Sequence, residues 1–265
     1  MIKRTGLTRI DVVIAVACVV FVLANVPVIV AGGRGRAKLE VCMANLRVLT
    51  AAWSMYADSN EDKIVNGAAG YTNKSPCWPG YENPWVGKCW AGYQTGVLMP
   101  KEEQIAAIQS GALWPYLKNI GLYKCPTGYR GEMLTYSISD AMNGYPRDAT
   151  KILVIKNRSQ IKRPQERLVF IDEGWTTPDS YAVFYNSEAW WDSPGVRHGN
   201  GNTFGFADGH GECWKWKGEE TVYLGRQSDK CHISNNIHPV TPDGKRDLYR
   251  LQKAVWGKLG YTPTP

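Results

Sequence analysis

The stretch RAKLEVCMANLRVLTAAWSMYADSN, residues 36–60, decides how this chain is organised. Its apolar side chains recur at intervals of three and four positions, a period that places them along one face of an α-helix. That face consists of Leu39, Cys42 or Met43, Leu46, Leu49, Trp53 and Tyr56. The stretch therefore predicts a helix that packs one apolar face on a globular core.

The twenty residues 12–31 precede this helix, and Asn25 carries their one conventional polar side chain. As a helix with a rise of about 1.5 Å per residue they would be roughly 30 Å long, which matches the hydrocarbon core of a bilayer. A cleaved secretory signal explains the run less well, because it is longer than an ordinary h-region and no Ala-x-Ala pattern follows it. We expect one membrane-spanning segment at about 12–31, within a helix over residues 7–60.

The pattern of predicted helices, strands and irregular stretches in residues 61–265 is typical of a globular domain, the head. Periodicity predicts helices within 101–119 and 246–259, and the stretch 66–100 is rich in glycine, proline and aromatic residues without a period. Five runs rich in β-branched and aromatic residues predict strands: KILVI at 151–155, RLVFIDE at 167–173, SYAVFY at 180–185, NTFGFAD at 202–208 and GECWKWK at 211–217. The expected fold class is α+β, with a long N-terminal helix, membrane-spanning in its first half, packed on a C-terminal antiparallel β-sheet head.

The N-terminal sequence KRTGLTRIDVVIAV, residues 3–16, combines a short basic leader, a glycine and an acidic residue at the edge of an apolar helix. It resembles the class III signal of type IV pilins and type II secretion pseudopilins. The resemblance implies a leader at 1–6, cleavage after Gly6, and a methylated new N-terminus at Leu7. It also implies that Asp11 pairs with the N-terminal amine of a neighbouring subunit, since a carboxylate at the rim of an apolar segment is costly unless paired.

A second signature is RHGNGNTFGFADGHGE at 197–212, where nine residues separate His198 from Asp208 and Gly209 follows at once. It resembles the H-x9-DG element of prepilin-type proteins that carry a processing-associated domain, here at 198–209. Further pieces resemble that family in the same order: CMANLRVLTAAWSMYADSNED, LWPYLKNIGLYKCP, TYSISDAMNG and FIDE. The resemblance implies a pilin-like architecture without an established catalytic activity.

The same resemblance implies location and partners. The chain would be a single-pass protein of the inner membrane, with its head in the periplasm or on a cell-surface filament. Its partners would be further copies of itself, other pilin-like subunits, the prepilin peptidase and an inner-membrane assembly platform. Nucleic acid is not expected as a partner, because the net charge of +7 is modest and most lysines and arginines are scattered.

Within the second signature the residues also predict local structure. Residues 202–208 alternate so that Thr203 and Gly205 share one face and Phe204 and Phe206 the other. DGH is a turn signal that leads into 211–217, so the stretch predicts a β-hairpin. In this interpretation His198 hydrogen-bonds the turn from the preceding loop, and the element only fastens the fold.

The alternative interpretation is a structural metal site at one end of the sheet, with no cofactor otherwise expected. Five candidate ligands would form it: Asp172, Glu173, His198, Asp208 and His210. Mixed imidazole and carboxylate donors suit Zn²⁺ or Mn²⁺. A separate, partial calcium-loop pattern places Asp58, Asn60 and Asp62 at positions one, three and five, with capping of the helix end as the simpler explanation.

Seven cysteines occur, none in a CxxC pair. Cys18 lies in the apolar run, and the other six allow fifteen pairings in an oxidising compartment. We expect Cys42 to bond to Cys125 and tie the long helix to the head, while Cys77–Cys89 and Cys213–Cys231 close local loops. Buried free thiols remain the alternative.

These observations favour a structural subunit, a pseudopilin or pilin-like protein, over an enzyme. The sequence contains no HExxH motif and no phosphate-binding glycine loop, and no Ser/His/Asp arrangement can be assembled. One alternative is a membrane-anchored module that binds a sugar or another ligand on exposed aromatic residues; the candidates are Trp190, Trp191, Trp214 and Trp216. A metal-dependent hydrolase at His198, Asp208 and His210 is the third interpretation.

Overall fold

The structure is a computed structural model in which most of the chain is described. The described ranges are 9–70, 83–90, 98–129, 131–145, 147, 150–173, 179–228 and 236–264, and within 9–32 only the backbone is described. The proposed leader with Leu7, the side chain of Asp11, Cys77 and Cys231 lie outside the described residues.

The N-terminal helix α1 runs without interruption from Arg9 to Ser59. Its predicted apolar face is buried, since Cys42, Leu46, Leu49 and Trp53 are inaccessible to solvent. Within the part of the chain that the structure describes, no helix is both long and apolar enough to cross a bilayer. The side chains of the predicted span at 12–31 are not in that part.

Four antiparallel strands form one sheet in the order β1-β2-β3-β4. Their bounds are Tyr136–Ile138, Leu168–Asp172, Gly201–Phe206 and Gly211–Lys215. The last three strands confirm the predictions at 167–173, 202–208 and 211–217. The pairing of Gly205 with Gly211 confirms the predicted hairpin, whose turn contains Gly209 at a φ of +96°.

Two predicted strands are wrong, and one strand was not predicted. Residues Lys151–Leu153 form a 3-10 turn, closed by the Leu153 N–H on the Thr150 carbonyl, because the segment packs one side only and leaves Ile152 exposed. In 180–185, Tyr181 makes a single bridge beyond the end of β1, so no ladder develops. The strand β1 is three residues long, too short for a periodic signal.

Four further helices complete the described fold: α2 at Lys101–Gln109, α3 at Trp114–Leu117, α4 at Glu219–Ser228 and α5 at Pro242–Trp256. The helices α2 and α3 fall within the predicted region 101–119, and α5 overlaps the predicted region 246–259 but begins four residues earlier. Thr241 caps the start of α5 by accepting the Gly244 N–H, and Gly257 ends the helix at a φ of +79°. No prediction was made for α4.

The sheet separates two apolar layers. The helix α1 packs on one face, against Tyr136, Ile138 and Phe170. The helix α5 packs on the other face, in a core that is rich in aromatic residues: Phe204, Phe206, Trp190, Trp214, Trp216 and Trp256. The expectation of an α+β fold, with a long N-terminal helix on an antiparallel sheet, is confirmed at this level.

Candidate metal centre

The two ends of the H-x9-DG element lie at opposite ends of β3. His198 precedes the strand and Asp208 follows it, and six residues at about 3.3 Å each separate them by roughly 20 Å. The predicted hydrogen bond from His198 to the hairpin turn is therefore wrong. The nine-residue spacing is the length of one strand with its flanking loops.

At the hairpin end, Asp208 and His210 form a small network of their own. The Nδ1 atom of His210 lies 2.6 Å from Oδ1 of Asp208, and its Nε2 atom lies 3.3 Å from Oε1 of Glu212. The imidazole stacks on the Phe206 ring with a centroid distance of 4.4 Å. These contacts orient the turn between β3 and β4.

The remaining predicted ligands also separate, because successive side chains of a strand point to opposite faces. Glu173 accepts a hydrogen bond from the Ser137 hydroxyl. Asp172 instead belongs to the face that carries Tyr136, on the side of α1. Since β2 and β3 are antiparallel, the end of β2 lies beside the beginning of β3, where His198 is. The predicted five-residue metal set is thus wrong as a set, and only Asp172 and His198 come together.

Two cysteines complete a four-residue cluster with Asp172 and His198. Its candidate ligand atoms all lie within 4.8 Å of one another: Sγ of Cys42, Sγ of Cys125, a carboxylate oxygen of Asp172 and an imidazole nitrogen of His198. The Sγ atom of Cys125 is 3.1 Å from Nε2 of His198, and Sγ of Cys42 is 3.8 Å from Oδ2 of Asp172. These are the side chains that could hold a metal ion.

Each member of this cluster is supplied by a different segment. Cys42 comes from the buried face of α1, and Cys125 follows the 3-10 turn Ile120–Tyr123. Asp172 ends β2, and His198 lies in the loop before β3. The cluster therefore joins the long helix to three parts of the head.

Hydrogen bonds hold the two cysteines in place. The Cys42 sulfur lies 3.1 Å from the Tyr136 hydroxyl and 3.1 Å from the Thr203 hydroxyl. The backbone N–H of Cys125 donates to Oγ1 of Thr135 over 2.8 Å. Both cysteines are buried, with at most 1% of either side chain exposed.

The loop that carries His198 is fixed on both sides. The backbone N–H groups of Arg197 and Gly201 donate to each other's carbonyls at 2.7 and 3.0 Å, and His198 between them has a φ of +49°. The Lys215 ammonium donates to the His198 carbonyl. Arg197 also places its Nε atom 3.3 Å from Oδ1 of Asp172, which gives the buried carboxylate a cationic neighbour.

The four cysteines that the structure describes are free thiols: Cys42, Cys89, Cys125 and Cys213. The predicted Cys42–Cys125 bond is thus absent, although the prediction that these two side chains meet is correct. The sulfur of Cys42 is in hydrogen-bonding contact with the Thr203 hydroxyl, and the sulfur of Cys125 is in hydrogen-bonding contact with the His198 imidazole. Cys77 and Cys231, the expected partners of Cys89 and Cys213, lie outside the described residues.

The two thiols of the cluster differ in acidity. Burial raises the pKa of Cys42, but hydrogen bonds with Cys125, His198 and Thr203 outweigh it and bring the pKa to about 7. The hydrogen bond with Cys42 and burial both raise the pKa of Cys125. A Cys–His contact can also mark a nucleophile, but Cys125 is inaccessible and its thiolate is disfavoured, so the pair is unsuited to attack a substrate.

The calcium-loop candidates have other partners. The guanidinium of Arg158 lies 2.6 Å from a carboxylate oxygen of Asp58 and 3.4 Å from one of Asp62. Asp62 also accepts the Ser159 N–H over 2.8 Å, and the Asn60 amide donates to the Tyr56 carbonyl over 2.7 Å. The guanidinium of Arg158 thus occupies the position at which the calcium-loop pattern predicted a calcium ion. The hydrogen bond of Asn60 agrees with the simpler explanation, in which these residues cap the helix end.

Three of the four tryptophans of the binding-module alternative are in the core. Trp190, Trp214 and Trp216 are 3%, 5% and 6% exposed. Trp191 is half-buried, with the Arg147 guanidinium 4.4 Å above its ring. The expectation of an exposed aromatic platform at these residues is wrong, because both faces of the sheet are covered by helices and loops.

Comparisons with protein-family models, with curated proteins and with solved structures find no match to this chain. The case for its function therefore depends on its own residues. Sequence reasoning paired Cys42 with Cys125 and grouped Asp172 with His198, but it did not join the two pairs. The signal that could have joined them is that Cys42 belongs to the apolar face of α1 that must cover the end of β2.

Proposed function

We propose that this chain is a structural subunit, pseudopilin or pilin-like, of a filament that assembles through its N-terminal helix. The observation that carries the proposal is an apolar stripe on the face of α1 that points away from the sheet. Val41, Val48 and Met55 are 49%, 41% and 50% exposed and are spaced by seven residues. Ala44 and Ala51 are exposed between them.

The spacing of this outer stripe is the pattern of a helix–helix contact. Positions 41, 44, 48, 51 and 55 alternate steps of three and four residues, as the a and d positions of a heptad do. Alanine at alternate positions allows two helix backbones to approach closely. The opposite face of the same turns is already buried against the head, so the stripe is available to a second molecule.

We assign the stripe to helix α1 of a neighbouring subunit. The stripe lies on the same helix as the apolar residues 12–31, with the polar stretch 32–40 between them, so a partner helix that packs along one could extend to the other. The resemblance of residues 3–16 and 197–212 to pilin-like proteins implies the same partner, the N-terminal helix of another subunit. In this proposal 1–6 is a leader, 12–31 anchors the subunit in the inner membrane, and 61–265 is the extracytoplasmic head.

The proposal includes no catalytic role. The hydrolase alternative needs His198, Asp208 and His210 together, whereas β3 separates the first from the other two. A ligand-binding module on the tryptophans is unsupported, because three of those side chains are buried and Arg147 lies over the ring of the fourth, Trp191. The surface that the proposal uses is the outer stripe of α1.

Site-specific photo-cross-linking tests the outer stripe. A photo-reactive amino acid at position 48 should give covalent dimers and larger multimers in cells that produce the full chain. Mass spectrometry should locate the cross-link in α1 of a second copy or of another pilin-like subunit. The same amino acid at position 152 is the control, since Ile152 is 94% exposed but lies in the head.

A substitution complements the cross-link. Val48→Lys should reduce assembly, because a charge at the centre of a helix–helix seam is left without a partner. It should leave the stability of the subunit unchanged, since the side chain is exposed. The outer stripe is not the assembly surface if cross-linking gives equal amounts of multimer from positions 48 and 152. Normal filaments formed by Val48→Lys would lead to the same conclusion.

A further inference from the structure

We propose that Cys42, Cys125, Asp172 and His198 bind one Zn²⁺ ion, which fastens helix α1 to the head. This inference does not depend on filament assembly. It concerns how helix α1 is held on the head, and measurements of metal binding test it without reference to assembly.

The geometry fits a four-coordinate ion. With Zn–S bonds of about 2.3 Å and Zn–N or Zn–O bonds of about 2.0 Å, ligand atoms in a tetrahedron are about 3.3–3.8 Å apart. In the structure, Cys125 Sγ lies 3.1 Å from His198 Nε2, and Cys42 Sγ lies 3.8 Å from Asp172 Oδ2. The whole set lies within 4.8 Å, so small side-chain rotations would bring every ligand to bonding distance.

The donor set selects the metal. Two sulfurs and an imidazole are ligands that Zn²⁺ accepts readily, whereas Ca²⁺, Mg²⁺ and Mn²⁺ favour oxygen. Zinc binding would displace the thiol protons, so the ion would meet two thiolates and one carboxylate in a buried place. Four protein ligands leave no open coordination position, which is the pattern of a structural site.

Groups around the ligands are arranged as supports. Arg197 faces the second oxygen of Asp172 at 3.3 Å, and it also donates to the Thr127 carbonyl over 2.8 Å. The Tyr136 and Thr203 hydroxyls lie 3.1 Å from the Cys42 sulfur and can donate to a thiolate there. Such second contacts fix the orientation of metal ligands. An open groove reaches His198 beside Thr127 and Lys215.

A disulfide between the same cysteines accounts for less of this arrangement. It needs an S–S distance of about 2.05 Å and involves only two of the four side chains. Asp172, which is fully buried, and the imidazole nitrogen of His198 would then face a neutral disulfide. Zinc uses all four groups and, together with Arg197, balances the charge of two thiolates and one carboxylate, so we assign the cluster to zinc.

The test is metal analysis of the full-length chain, extracted in detergent without an affinity tag that binds metal. We expect about one equivalent of zinc per chain. After chelation, Co²⁺ should restore one equivalent and give the visible bands of a tetrahedral site with thiolate charge transfer. Chelator should also lower the melting temperature of the wild-type protein, because the ion binds the folded state.

Variants locate the site. Cys125→Ser and His198→Gln should lose zinc, the cobalt bands and the response to chelator. Matched controls use the same residue types outside the cluster: Cys213→Ser on β4 and His210→Ala at the hairpin turn should keep all three. If a ligand variant fails to accumulate, cobalt substitution and chelation of the wild-type protein still decide.

Two results on the wild-type protein would overturn the proposal. One is a wild-type protein with reduced thiols that takes up neither zinc nor cobalt. The other is a Cys42–Cys125 disulfide in cells, detected by acid quenching, alkylation and peptide mapping without reduction. Zinc that His198→Gln retains and Cys213→Ser loses would likewise place the ion elsewhere.

Discussion

At the scale of single residues, Gly205 sets how closely the long helix approaches the sheet. A Cβ atom at this position would lie 2.7 Å from Oγ1 of Thr50 and 3.4 Å from the Leu46 carbonyl oxygen. The Thr50 hydroxyl cannot easily turn away, because it donates to that same carbonyl over 2.8 Å. One missing side chain thus allows β3 to pack directly on α1.

We predict that Gly205→Ala lowers the free energy of unfolding by about 1–3 kcal/mol, the usual cost of overpacking a core. Urea denaturation of the full chain in detergent measures this loss. Gly33→Ala is the matched control: no atom lies within 4 Å of its added Cβ on the exposed side of α1, so no loss is expected. A stability of Gly205→Ala equal to that of wild type would mean that helix and sheet can separate at no cost.

Residue patterns predicted part of this arrangement. Alternation along 202–208 placed Thr203 and Gly205 on one face and the phenylalanines on the other, as the structure has them. The same alternation applied to Asp172 and Glu173 would have shown that both cannot bind one ion. It could not show which face meets α1, because that depends on sheet order, and sheet order depends on contacts between distant segments.

At the scale of elements, the long periodic segments were predictable and the short ones were not. The stripe on α1 and the pattern of α5 extend over several turns, so each repeats its signal. The strand β1 has three residues, and its partner β2 supplies the pairing that defines it. The H-x9-DG spacing spans one strand, and its interpretation as a local cluster fails because a strand carries its two ends apart.

The segments between β1 and β2 and between β2 and β3 bring acidic residues together around one arginine. The guanidinium of Arg147 lies 3.0 Å from Asp140 and 3.2 Å from Asp179, and Asp192 and Glu173 are near the same place. Burial outweighs the arginine and raises the pKa of Asp140 to about 6 and that of Asp179 to about 7. Burial and the charge of Glu173 raise the pKa of Asp192 as well.

We predict that the stability of the metal-free protein contains a component that falls between pH 5 and pH 7. An acid whose pKa is raised by folding binds its proton more tightly in the folded state. Its contribution is complete below the unfolded pKa near 4 and is lost as the pH rises through 6 and 7. The difference should amount to about 2 kcal/mol or more.

Urea denaturation at pH 5 and pH 7 measures this component by comparing wild type with Asp179→Asn, which should show a flatter dependence. Glu188→Gln is the control, since hydrogen bonds from Thr264 outweigh its slight desolvation and hold the Glu188 pKa at about 2, below the tested range. Cys42, with its pKa lowered to about 7, adds stability only above that range. Equal slopes for wild type and Asp179→Asn would show that Arg147 keeps these carboxylates ionised.

At the scale of the whole molecule, helix α1 serves two surfaces at once. Val41 on the outer stripe and Cys42 in the proposed zinc site are adjacent residues, and successive helical positions point about 100° apart. A ligand bond at Cys42 therefore fixes the rotation of the helix about its axis. In the proposed filament that rotation would decide which side chains the subunit presents to its neighbour, so one helix would link the proposed zinc site to the outer stripe.

The final prediction separates processing from assembly along this helix. Gly6→Leu should block removal of the leader, since the resemblance implies a peptidase that needs a small residue before the cut. Asp11→Ala should leave cleavage intact and reduce assembly, because the apolar helix would lose the carboxylate for which the resemblance implies a pair with a neighbouring amine. Intact mass of the membrane-extracted protein reports cleavage as the loss of six residues, and multimers captured from position 48 report assembly. Full assembly by Asp11→Ala would leave the outer stripe as the sole determinant of subunit contact, and a six-residue loss from Gly6→Leu would contradict pilin-type processing altogether.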